Sequence, residues 1–127
     1  MSKKIILVVI FAVNFLIAQE SAKHTSNGNK EVRITGEIID IKCYVTGMMG
    51  GRGEEHKQCA IDCIKGGLPV GVIDEKGIIY TVVPSKGMRS ANEKLGDLAA
   101  EKLTFTGKVK EKDGIRLLMY NNMETTK

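Results

Sequence analysis

The residues with the clearest chemical potential are one histidine and three cysteines in the first half of the chain: Cys43, His56, Cys59 and Cys63. The last three are spaced i, i+3 and i+7. At about 100° per residue on a helix, this spacing places their side chains within about 60° of arc. One helical face would therefore present an imidazole and two thiols.

The residues around this stripe favour a helix. Glu54 and Glu55 put negative charge at its start, where the helix dipole favours it. Gly66 and Gly67 follow the last apolar position, and Pro69 cannot continue a helix. We therefore predict that one helix carries the histidine and the last two cysteines.

Cys43 stands upstream, at the end of a run predicted to be a strand. A glycine-rich loop at residues 47–53 separates it from the predicted helix. We expect this loop to be a flexible hinge that brings Cys43 over the helical face, with Arg52 solvated. The loop lies between a strand and a helix, as phosphate-binding loops do, but it matches neither G-x-G-x-x-G nor the P-loop.

Three thiolates and one imidazole form a tetrahedral zinc set, and the same soft donors suit Cu(I). Met48 and Met49 in the loop would be extra thioether ligands for copper. We expect Asp40 to orient the ligand His56 without binding the metal itself. Coordination also explains the odd number of cysteines. The predicted ligands of zinc or copper are Cys43, His56, Cys59 and Cys63.

Two other interpretations of the cysteines remain open. A disulfide from Cys43 to Cys59 or Cys63 would close a loop of about 15–20 residues and stabilise the fold by about 3 kcal/mol, leaving His56 on the surface. Alternatively, His56 could activate Cys59 for thiol redox chemistry, with Asp40 as third member. The C-x-x-C and C-x-x-C-H motifs are absent. Because no catalytic set is complete, we expect a binding or structural site rather than an enzyme.

The N-terminus resembles a secretory signal. Two lysines precede an apolar run at residues 5–18 that only Asn14 interrupts, and residues 1–19 form the predicted signal. The run is short for a membrane span, and an uncleaved anchor is the alternative. We therefore expect an exported protein, periplasmic or extracellular, that meets the membrane only through such an anchor.

Export also limits the partners. Removing residues 1–19 leaves 17 of the 19 basic residues against 15 acidic ones, a net charge of +2. This charge and the few aromatic residues exclude nucleic acid as an expected partner. The expected partners are a metal ion and a protein of the cell envelope.

The rest of the chain predicts one domain at residues 32–120, after a flexible linker at 20–31 and before a polar tail at 121–127. Residues 32–42 read as a strand that changes phase beside Gly36, which indicates a bend. Residues 69–73 and 78–83 read as a hairpin. A capping-box pattern, Ser90 to Glu93, predicts a short helix. Two strands around the turn at Asp113 and Gly114 end the domain.

This order predicts a mainly β protein: a five-stranded OB-like Greek-key barrel with the cysteine-bearing helix inserted between strands 1 and 2. A ferredoxin-like sheet is the alternative. Three sequence patterns carry a family resemblance: G-E-I-I-D-x-x-C, H-x-x-C-A-x-x-C-x-x-G-G-x-P-V-G and T-F-T-G-K-V. Over residues 32–119 the chain resembles small exported bacterial OB-like proteins of unassigned activity. The resemblance implies a shared site, but no reaction, at Asp40, Cys43, His56, Cys59 and Cys63.

Overall fold

The computed structural model of the protein describes residues 30–126, so the predicted signal at residues 1–19 and the linker up to residue 29 lie outside the described residues. Five strands and three short α-helices form the described part. Among those helices none has the length and apolar character needed to cross a lipid bilayer. The strands are β1 (Val32–Asp40), β2 (Val70–Asp74), β3 (Ile79–Pro84), β4 (Lys102–Lys112) and β5 (Ile115–Thr125).

The strands close into a barrel in the order β1-β2-β3-β5-β4, with β4 paired back onto β1. Every neighbouring pair is antiparallel except β3 and β5, which are parallel. Helix α1 (Ile41–Thr46) and helix α2 (Lys57–Lys65) lie between β1 and β2, and α3 (Asn92–Leu95) lies between β3 and β4. The prediction of a mainly β, five-stranded barrel with a cysteine-bearing insertion after strand 1 is confirmed.

Strand β1 bends at Gly36 and thereby belongs to two sides of the barrel. Its first part, up to Glu37, pairs with β4, whereas Gly36–Asp40 pairs with β2. A Cβ atom at Gly36 would overlap the backbone carbonyl of Ile73, so only glycine permits this close approach. The change of phase that the sequence shows beside Gly36 corresponds to this bend.

The core fills the barrel and the space beneath the helices. Phe105 on β4 packs edge-on against Tyr120 on β5, with ring centroids 5.5 Å apart. Ile64 of α2 and Leu95 of α3 are fully buried and belong to the same core cluster as the strand residues. Burial of each such side chain contributes about 1.5–3 kcal/mol, and this packing fixes α2 against the barrel.

Two sequence predictions about element ends are wrong. Strand β5 continues to Thr125, so most of the predicted polar tail is a strand whose polar side chains are mainly exposed. Helix α3 begins after Ala91 without any side-chain cap, so Ser90 does not form the expected capping box. Asn92, the first residue of α3, instead bonds to α2, as described below.

Candidate metal centre

The sulfur atoms of the three cysteines, Cys43, Cys59 and Cys63, all lie within 4.8 Å of one another. All three are free thiols. Cys43 is fully buried, and the other two are partly exposed. The prediction that the chain brings Cys43 to the two helical cysteines is therefore confirmed for the sulfur atoms.

Helix α1 positions Cys43. The chain leaves β1 at Asp40, whose carboxylate Oδ1 accepts a hydrogen bond from the backbone N–H of Lys42 at 3.0 Å and caps the helix. Gly47 ends the helix in the left-handed conformation, with φ of 69°. The prediction that Cys43 stands at a strand end is wrong, because the chain has already turned into α1 before Cys43.

The glycine-rich loop lies directly on this short helix. Gly51 has a φ of 72°, and a Cβ atom there would stand 2.7 Å from Cα of Tyr44 and 2.9 Å from the carbonyl oxygen of Cys43. Both the backbone angle and this contact require glycine. The loop therefore packs against the backbone that carries the first cysteine.

Glu37 on β1 fixes the far end of the loop. It is 7% exposed, and its carboxylate accepts bonds from Arg52 Nε at 3.1 Å, Arg52 Nη2 at 2.6 Å and the Gly53 N–H at 2.6 Å. Arg52 is exposed, as predicted, with 45% of its side chain accessible, but it also forms an ion pair with Glu37 that attaches this end of the loop to β1. Sequence reasoning missed Glu37, although it shares strand parity with the buried Ile39.

Helix α2 carries the other two cysteines one turn apart. Its carbonyl end is bound by Asn92 Nδ2, which donates to the carbonyl oxygens of Ile64 and Leu68, each at 2.7 Å. Lys65 also forms an ion pair with Asp97 on the turn after α3. These bonds, together with the buried Ile64, hold both thiols in place relative to the barrel.

His56 precedes α2 as the last residue of a 3₁₀ turn, Glu54–His56. It is 1% exposed, so the surface position expected with a disulfide is wrong. Neither of its ring nitrogens has a hydrogen-bond partner within residues 30–126. The group of mutually close donor atoms holds the three sulfurs and does not include His56. Its role as a metal ligand stays a prediction.

Asp40 Oδ2, the oxygen that does not cap α1, is buried and has no hydrogen-bond partner of good geometry within the described chain. It nevertheless lies close enough to two thiols to affect their ionisation. The carboxylate, followed by burial, raises the pKa of Cys43 to about 12. Burial, with a contribution from Asp40, also raises the pKa of Cys63. Within residues 30–126 the ring nitrogens of His56 have no hydrogen-bond partner, and the role of Asp40 in orienting His56 stays a prediction.

The raised pKa values determine what these thiols can do. At neutral pH Cys43 and Cys63 are protonated, whereas a redox or nucleophilic cysteine needs a lowered pKa. A metal ion would displace the thiol protons, so its affinity would rise with pH. The raised pKa values therefore argue against Cys43 and Cys63 as nucleophiles.

Met48 and Met49 lie on the 3₁₀ turn Met48–Gly50 of the loop and are 47% and 66% exposed. Their role as further soft ligands remains a prediction.

Comparison of the chain with protein-family models, with curated proteins and with solved structures gave no match. The functional argument therefore depends on the geometry of the site.

Proposed function

We propose that this protein is a small, non-catalytic metal-binding barrel that holds one transition metal ion, zinc or copper, through Cys43, Cys59 and Cys63. The observation that carries the proposal is the mutual approach of the three sulfur atoms to within 4.8 Å. Thiolates are ligands of choice for both ions, and a tetrahedral zinc site needs one further donor.

The surroundings of the sulfurs fit a bound ion. Two polar side chains of this region, Asp40 and His56, are fully buried and have polar atoms without hydrogen-bond partners. Such groups are rare in folded proteins, and each costs about 1–3 kcal/mol. A metal ion that accepts one of them as its fourth ligand would remove that cost. The sequence pattern favours His56 for this position.

The proposal includes export. Residues 1–19 have the pattern of a secretory signal, and the mature protein would function in the periplasm or outside the cell, with an envelope protein as partner. Contact with the membrane would occur only through an uncleaved N-terminal segment. In an oxidising compartment, two of the three adjacent thiols would form a disulfide, and a bound ion would protect them.

The test is to purify the full chain, count its metal by mass spectrometry and titrate its thiols after denaturation in chelator. We expect about one metal ion and three thiols per chain, because one ion engages three thiolates. Cys59→Ser should lose the metal. Gln58→Ala, a change at the exposed neighbouring residue of α2, should retain it.

Two results would contradict the proposal. A chain with no metal and one titratable thiol would be a disulfide-stapled interaction module, as the sequence also allowed. A chain with no metal and a thiol that reacts far faster than free cysteine at neutral pH would be a redox protein.

A further inference from the structure

The three thiols of the candidate metal centre differ in their access to solvent. Cys43 on α1 is 0% exposed, whereas Cys59 and Cys63 on α2 are partly exposed. The three sulfur atoms nevertheless lie within 4.8 Å of one another. An ion that contacts all three is therefore enclosed on the side of Cys43 and bordered on the other side by two side chains that solvent reaches.

The position of these two cysteines on α2 explains their partial exposure. The helix buries Ala60 and Ile64 on one face and exposes Asp62 on another. At about 100° per residue, Cys59 and Cys63 lie at the border between the two faces. Because the buried face is held against the barrel, this border is a fixed edge past which a molecule in solution can approach the sulfurs.

Three sulfurs do not fill the coordination sphere of zinc. Among the described histidine, cysteine and acidic side chains, the group of mutually close donor atoms consists of these three thiols, and His56 and Asp40 stand outside it. Either of them would have to move before it contacted the same ion. Zinc takes four ligands, and a site with three protein ligands keeps its fourth position for water or another exogenous ligand.

We propose that the fourth coordination position opens to solvent along the edge of α2 and accepts an exogenous thiolate, and that the ion passes through this position to an acceptor. The thiolate belongs either to a small-molecule thiol or to a cysteine of a partner protein. This inference deepens the proposed function and rests on it, because it needs the three cysteines to bind a metal. It makes the centre an exchange site rather than a permanent structural site.

Thiolate is the donor class that the site itself uses, and it suits both zinc and Cu(I). In the exchange step the incoming thiol gives its proton to the solvent and its sulfur bonds to the ion, while the ligand in the fourth position leaves. Further thiolates of the acceptor then replace the thiolates of the chain, which take up protons from the solvent. Each step exchanges ligands and protons, and no electron is transferred.

The test uses the reduced full chain loaded with Co(II) or zinc, with glutathione as the probe. S-methylglutathione is the matched control, since it has nearly the same size and charge but no thiol. Glutathione should increase the thiolate-to-Co(II) charge-transfer absorption by about one third, because a fourth sulfur joins three. X-ray absorption of the zinc form should change from three sulfurs to four. S-methylglutathione should change neither spectrum, and a glutathione result identical to that of the control overturns the inference.

Zinc transfer to a synthetic peptide with a C-x-x-C pair tests the exit of the ion and the source of the thiolate. If the peptide enters the open position, the transfer rate should rise in proportion to the peptide concentration. A rate independent of peptide concentration would show a closed site that releases its ion first, and would overturn the inference. Faster removal by the peptide than by glutathione at equal thiol concentration identifies a protein cysteine as the acceptor, and removal that is no faster identifies small thiols.

Two serine variants test the direction of approach. Glutathione should restore the Co(II) affinity of Cys59→Ser at least about tenfold, because an external sulfur reaches the partly exposed side, and that of Cys43→Ser less than about threefold. Equal restoration in both variants would contradict approach along α2. Circular dichroism confirms that each variant folds, and the wild-type experiments decide the proposal if either does not.

The outcomes separate this inference from the proposed function. A wild-type chain that binds no zinc, Co(II) or Cu(I) refutes both. A wild-type chain that binds Co(II) through three sulfurs and gains no fourth sulfur from glutathione overturns the open position alone. Binding of Cu(I) without zinc or Co(II) would likewise retain the proposed function and overturn the four-coordinate exchange site.

Discussion

Replacement of Gly51 by alanine should disturb the metal centre, although Gly51 itself is not a ligand. The loop meets the backbone of Tyr44 and Cys43 at this glycine, and an added Cβ atom would stand 2.7 Å from Cα of Tyr44. Gly50 provides the matched control, since its φ of 78° is equally left-handed but its Cβ would meet nothing within 4 Å. Alanine in this conformation costs about 1–2 kcal/mol at either position. Overlap at Gly51 adds about 1–3 kcal/mol, as other over-packed sites do.

The assay is urea denaturation of both variants as reduced, metal-free protein, followed by zinc titration against a chelator. Gly51→Ala should lose about 1–3 kcal/mol more of the free energy of unfolding than Gly50→Ala. Its zinc affinity should fall at least about tenfold, which corresponds to 1.4 kcal/mol, because relief of the overlap displaces Cys43. Equal losses in the two variants would show that the loop does not pack on α1, and the account of how Cys43 is positioned would be refuted.

Three further predictions concern the supports of the site. Glu37→Gln weakens the charged bonds to Arg52 and should cost about 1.5–3 kcal/mol of unfolding free energy, which urea denaturation measures; an unchanged midpoint would contradict the anchoring of the loop. Asn92→Ala removes two bonds to the end of α2 and should cost about 1–3 kcal/mol and increase amide exchange in that helix; unchanged exchange would contradict it. The metal-free protein should lose stability as pH rises from 9 to 12, because folded Cys43 keeps its proton up to a pKa of about 12 whereas the unfolded thiol loses it near 9.0. Zinc-bound protein, whose thiols are already deprotonated, and Cys43→Ser should both show a smaller loss, and an equal loss in all three would contradict the prediction.

Much of the barrel could be predicted because its signals are local. The phase change beside Gly36 marks the bend that places β1 on two sides of the barrel. The strict alternation around Phe105 marks β4, and the turn at Asp113 joins it to β5. Each pattern reflects which side of one strand is buried, and a sequence displays that directly.

The errors arose where distant residues decide the structure. Helix α1 has only six residues, too few for a helical period, although Asp40 and Gly47 are the caps that could have revealed it. The ion pair between Arg52 and Glu37 joins residues fifteen positions apart. The bonds from Asn92 reach back across two strands of the barrel. None of these contacts leaves a periodic pattern, so only the folded chain shows how the loop and α2 are held.

The candidate site was predicted only in part, because part of its geometry also depends on residues that are distant in the sequence. The spacing of Cys59 and Cys63 follows from one helix, and their shared face is visible in the sequence. The approach of Cys43 depends on α1 and on the loop that lies upon it. The influence of Asp40 on the pKa of two thiols depends on the turn from β1 into α1, and the sequence alone therefore did not reveal it.

The central claim is that a single ion contacts all three sulfurs. X-ray absorption of the metal-loaded full chain, recorded at the edge of the metal found by mass spectrometry, tests it most directly. For zinc, we predict three sulfur scatterers at about 2.3 Å and one lighter atom at about 2.0–2.2 Å. A first shell of nitrogen and oxygen atoms, with at most one sulfur, would contradict the claim.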